Sequence, residues 1–129
     1  MKNHLIRFAF MGLLLLGATA TGAFAQQFVR PEFNGCIRQY YDPNMYNWLA
    51  FENVCSQSLS IVYIPNSPGY GGSKMDLSPG RHSSTGFSRS EVQSKSGFEL
   101  YVCPAGFIPV SMNNEYVNRV IPEFKCRRQ

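Results

Sequence analysis

The chain has 129 residues, with twelve Lys and Arg against eight Asp and Glu, and 44% of its residues are hydrophobic. That balance belongs to an ordinary globular chain and excludes a disordered or collagen-like one. The cations stand singly except for Lys125, Arg127 and Arg128, so no basic stripe follows a phosphate backbone and nucleic acid is not an expected partner.

Lys2 and Arg7 flank the start of an apolar run over residues 8–16, and Ala23-Phe24-Ala25 follows. A basic start, a short apolar stretch and small residues two apart predict a secretory signal peptide over residues 1–25, with the working protein, a single domain over residues 26–129, starting at Gln26. Without Lys2 and Arg7, ten basic residues face the eight acidic ones, a formal charge of +2. The apolar run is shorter than the roughly 20 residues a membrane-spanning helix requires, so the expectation is an exported periplasmic or extracellular protein with no transmembrane segment.

Export sets the reading of Cys36, Cys55, Cys103 and Cys126, which then mature where disulfides persist. Four cysteines allow three pairings. The nested one, Cys55 with Cys103 and Cys36 with Cys126, is preferred because the first two end apolar runs and the other two lie near the ends of the chain. No Cys-x-x-Cys pair occurs and His82 is the only histidine after residue 25, so neither a metal nor any other cofactor is expected.

Residues 26–43 carry Pro31, Gly35 and Pro43 without a sustained period and read as an irregular arm. Residues 47–55 alternate as a strand does, and residues 58–64 are β-branched and aromatic, so Ser56-Gln57 is predicted to close a hairpin between them. Residues 65–73 hold two prolines and three glycines and are predicted to be a loop displaying Tyr70. A short strand at residues 75–77 leads to Ser78-Pro79-Gly80, a type II turn by its Pro-Gly pair, and residues 83–87 continue extended. Ser88-Arg89-Ser90-Glu91 has capping-box spacing and predicts the one helix, ending by Gly97. Residues 98–103 form the strongest strand; residues 107–110, interrupted by Pro109, suit an edge. Residues 116–121 and 124–126 complete the strands. Short strands, frequent turns and little helix predict an all-β fold, a small antiparallel sandwich or barrel with one short helix and two disulfides.

The run Leu49-Ala50-Phe51-Glu52-Asn53-Val54-Cys55, then Ile61-Val62-Tyr63, Leu77-Ser78-Pro79-Gly80 and Thr85-Gly86-Phe87-Ser88, resembles the opening strands of thaumatin-like β-sandwich proteins. The chain lacks that family's length, most of its cysteines and its acidic cleft, so the resemblance implies sandwich topology and carries over no functional residue. The whole chain is also similar to small exported four-cysteine proteins of Gram-negative bacteria, a likeness that implies no activity.

Three features carry the functional expectation. Tyr40-Tyr41-Asp42-Pro43-Asn44-Met45-Tyr46-Asn47-Trp48 places several rings on a connection that Pro43 keeps out of helix; with Tyr70 they form the candidate surface for a glycan or protein partner. His82, with Glu91 and Glu99 as acidic helpers and Arg89 nearby, is the alternative catalytic centre, that of a small ribonuclease-like hydrolase. The 65–73 loop is the element an inhibitor of an exogenous enzyme would present. The expected function is a non-enzymatic binding or envelope-associated protein using its aromatic surface.

Overall fold

The computed structural model describes Phe28, Val29 and residues 33–129, so the predicted signal peptide and its cleavage point lie outside the described residues. The strands are β1 (Phe28–Val29), β2 (Ile37–Asp42), β3 (Trp48–Asn53), β4 (Leu59–Pro65), β5 (Ser73–Leu77), β6 (His82–Ser84), β7 (Phe98–Pro104), β8 (Phe107–Val110) and β9 (Lys125–Arg128), with one helix, α1 (Arg89–Ser94), and a 3-10 turn at Asn34–Cys36. They make three antiparallel three-stranded sheets, ordered β2-β3-β6, β5-β4-β7 and β1-β9-β8, which do not close into a barrel.

Strand β4 explains how the sheets stack. Its odd-numbered apolar residues Leu59, Ile61 and Tyr63 join Leu49 and Phe51 of β3 and Leu100 and Val102 of β7 in one buried cluster. Its even-numbered Val62 and Ile64 lie in a second cluster with Tyr101, Val117, Ile121 and Phe124. Because successive side chains leave a strand on opposite faces, the β5-β4-β7 sheet is the middle layer, with β2-β3-β6 on one side and the C-terminal segment on the other. Each fully buried apolar side chain contributes about 1.5 to 3 kcal/mol, and Phe51, Leu59, Ile61 and Val102 have no exposed surface.

The disulfides are Cys36–Cys55 and Cys103–Cys126, which corrects the nested preference. The predicted irregular arm contains β2, whose register with β3 opens at Ile37 opposite Asn53; the amide of Val54 donates to the carbonyl of Cys36 at 2.8 Å. Register thus delivers Cys36 to Cys55. The second bridge ties β7 of the middle layer to β9. In the chain-entropy account each loop contributes roughly 3.3 kcal/mol.

Two further expectations change. Ser56-Gln57 does not close a hairpin, because β3 already has β2 on one side and β6 on the other while β4 lies between β5 and β7. The chain crosses between layers there, and buried Asn53 holds the crossing: its Nδ2 donates to the carbonyls of Gln57 (2.7 Å) and Leu77 (3.1 Å), and its Oδ1 accepts from the amide of Cys55. Residues 116–121 are not a strand beyond a single bridge between Val110 and Tyr116. There the hydroxyl of Tyr101 takes the place of a partner strand, accepting from the amide of Ile121 at 2.8 Å and donating to its carbonyl at 3.0 Å.

The locally coded features are present as predicted. Gly80 has φ +73 and the amide of Arg81 donates to the carbonyl of Ser78, as a type II turn requires. Ser88 caps α1, its hydroxyl accepting from the amide of Glu91. Strand β8, which carries Pro109, lies at a sheet edge.

Candidate functional site: an aromatic hairpin

Strands β2 and β3 form a hairpin in which Asp42 faces Trp48 across a loop of residues 43–47. Paired residues share a face, so Arg38, Tyr40, Asp42, Trp48, Ala50, Glu52 and, from β6, His82 and Ser84 point away from the middle layer. Ile37, Tyr41, Leu49 and Phe51 point toward it.

The loop is built on Asp42, which is 4% exposed. Its Oδ1 accepts from the amide of Asn44 at 2.9 Å, and its carbonyl accepts from the amides of Met45 and Asn47. This is the Asx-turn chemistry that Asp-Pro-Asn encodes. Folding back requires two successive left-handed residues, Tyr46 at φ +55 and Asn47 at φ +57. Asn tolerates that conformation, whereas a tyrosine held there costs roughly 1 to 2 kcal/mol. The Tyr46 ring is 77% exposed and lies 4.9 Å from the Trp48 ring, centroid to centroid. Met45 is exposed beside it, and residues 43–47 carry no charge.

Tyr40 lies on the same outward face as Trp48, with the Arg38 guanidinium 4.5 Å from its ring centroid. Arg38 also pairs with Glu52 at 2.6 Å; that hydrogen bond, then the carboxylate charge, raises the pKa of the guanidinium further. Burial first, then the charges of Asp42 and Glu52, holds the Tyr40 hydroxyl above its ordinary 10.0. His82 Nε2 stands 3.7 Å from Asp42 Oδ2, and its ring is 6.2 Å from that of Tyr40.

The structure therefore brings together Tyr40, Tyr46 and Trp48 and separates the other two predicted rings. Tyr41 is on the inward face, packed against the core and lying under the Arg89 guanidinium at 4.0 Å. Tyr70 is in the loop after β4, with the Lys95 ammonium 4.0 Å from its centroid. The alternative catalytic residues occupy three separate elements: His82 in β6 beside Asp42, Glu91 in the cap of α1, and Glu99 in β7 opposite Ile64. Sequence reasoning missed Asp42, although the Asp-Pro-Asn signal was there to read. Among the described residues no three His, Cys, Asp or Glu side chains come together to hold a metal ion, and no helix is long and apolar enough to cross a membrane.

Cations distinguish the tip of the hairpin from the rest of the surface. Lys125 covers Phe28, Lys95 covers Tyr70 and Arg127 covers Tyr116, each within 5.4 Å of the ring centroid. Of the four exposed aromatic residues described, only Tyr46 carries no cation. No protein-family model, curated protein or solved structure matches this chain.

Proposed function

We propose that the protein is an exported, non-enzymatic binding protein whose binding element is the tip of the β2–β3 hairpin, with Tyr46 and Trp48 as its anchors. The observation that carries this reading is the bare Tyr46 ring. It stands on Trp48 at the apex of a charge-free loop, in a backbone conformation unfavourable to tyrosine. Aromatic side chains supply large rigid contact area at little entropic cost and dominate binding hot spots. Stability gives no net reason to keep a tyrosine at φ +55, since Asn or Gly would fit with less strain and the stack on Trp48 only about offsets that strain. Two disulfides support the exported setting.

The test is paired capture on a glycan array and on an envelope extract, using the wild type and Tyr46→Asn. Loss of the captured partner in the variant, with the melting temperature kept, supports the reading; equal capture contradicts it. Trp48 is the only tryptophan, so its fluorescence reports engagement of the tip directly.

One contact favours a second reading, hydrolysis at His82, because Asp42 stands beside the imidazole. Asp42 is already engaged in the turn through its Oδ1 and its carbonyl, which suits support of the hairpin better than orientation of a base. His82→Ala separates the two readings, since loss of a general base costs roughly 10²- to 10⁴-fold in rate.

A further inference from the structure

Because none of the three sheets closes, each ends in edge strands whose outer backbone groups have no ladder partner. Most of these edges are blunted. Strands β1 and β6 are two and three residues long, and β8 carries Pro109 and is bridged to Tyr116. The free side of β7 is flanked by the Cys103–Cys126 bridge and by Asn34, whose Nδ2 donates to the carbonyl of Leu100 at 3.4 Å. The charges of β2 are committed within the chain, Arg38 to Glu52 at 2.6 Å and Asp42, buried, to the hairpin turn.

Strand β5, Ser73-Lys74-Met75-Asp76-Leu77, is different. Among the described residues it pairs with β4 alone. Met75 and Leu77 pack on the inner cluster, which puts Lys74 and Asp76 together on the other face. They stand 3.9 Å apart, the outer limit of an ion pair, and 47% and 71% of their side-chain surface is exposed. Both therefore remain available to an opposite charge from outside.

A lysine on an edge ordinarily guards it, since its charge repels that of a second copy. In β5 that guard is undone two residues later. Antiparallel pairing of one β5 with another, about a twofold axis at Met75, sets Ser73 opposite Leu77, Lys74 opposite Asp76 and Met75 opposite its own counterpart. Paired residues are then both odd or both even, so the backbone groups leaving one edge meet those leaving the other, and both Lys-Asp pairs fall on one face. No other edge of the described residues presents a strand of this length with free charges that complement themselves.

We infer that the protein self-associates through β5 as a twofold dimer, joining the middle sheets of the two copies into one. Backbone hydrogen bonds supply the pairing, and the two Lys74-Asp76 contacts fix its register. The interface lies on an element other than the hairpin and does not depend on the hairpin reading.

The test is sedimentation equilibrium of the disulfide-bonded protein from micromolar to millimolar concentration. The wild type should show a reversible monomer-dimer equilibrium that weakens as salt is raised. Lys74→Glu brings two carboxylates together in each pair and Asp76→Lys brings two ammonium groups together, so each variant alone should dimerise about tenfold or more weakly. Mixing the two variants in equal amounts sets opposite charges against each other in both pairs and should restore a dimer with one copy of each. Tyr46→Asn should leave association unchanged. The inference is overturned if the wild type stays monomeric at millimolar concentration, if either charge variant dimerises as the wild type does, if the mixture stays monomeric, or if Tyr46→Asn abolishes the dimer.

Discussion

The aromatic residues of the hairpin tip and those elsewhere in the molecule are chemically alike and differently spent. Phe51 and Tyr63 meet edge to face at 5.3 Å inside the core, and Tyr101 and Phe124 do so at 5.0 Å in the second cluster. Nearer the surface, cations lie over Tyr40, Tyr41, Tyr70 and Tyr116, several times the usual frequency of about one such pair per 70 to 80 residues. At the tip, Tyr46 has neither core nor cation. Buried rings hold the layers together, rings under cations are already engaged on that face, and the Tyr46 ring on Trp48 is left without either kind of contact.

The comparison predicts a graded series of substitutions. Phe51→Ala, on the inward face of the strand that begins with Trp48, should cost about 3 to 5 kcal/mol by thermal or denaturant unfolding. A cost below about 1 kcal/mol would mean that the inward face of the hairpin is not packed on the middle layer.

Tyr101→Phe comes next. It keeps the ring and removes both hydrogen bonds to Ile121, leaving that half-buried backbone without its partner, at about 1 to 3 kcal/mol. Burial also raises the Tyr101 hydroxyl above its ordinary 10.0. The unfolded chain therefore releases this proton at a lower pH than the folded one. The contribution to stability is complete below pH 10 and is lost as pH rises through the folded value. Wild type should lose stability above pH 10 more steeply than Tyr101→Phe; parallel curves would show that this hydroxyl is not the buried clamp.

How much of this was legible in the sequence follows from how local the coding is. The Ser88 cap of α1, the Pro79-Gly80 turn and the strands around Ile61 and Val102 each depend on residues within a few positions, and were readable. Strand β2 was not, because Arg38 and Gln39 interrupt its apolar pattern and its order comes from pairing with β3. The disulfide pairing follows from that same register, so missing β2 meant preferring the wrong bridges. The aromatic segment was visible as composition, but only the alternation of β2 separates Tyr40 from Tyr41, and only the fold shows that Arg89 lies over Tyr41.

A smaller effect is expected where a cation covers a ring. Arg89→Ala removes the cover from Tyr41 at the border of the core, for about 0.5 to 1 kcal/mol, or roughly 2 to 8 °C in melting temperature. No change in melting temperature would leave that cation without a stabilising role and weaken the contrast with the tip.

The smallest change in stability should come from the most exposed ring, and it tests the central claim most directly. Tyr46→Asn relieves a left-handed strain of roughly 1 to 2 kcal/mol while losing a stack on Trp48 of about 0.5 to 1.5 kcal/mol, so the two offset. Differential scanning calorimetry of the wild type and Tyr46→Asn, run beside the paired capture experiment, should show a melting temperature unchanged or slightly raised, with binding lost. A fall of several degrees, with capture retained, would show that Tyr46 is kept for the fold and would contradict the account.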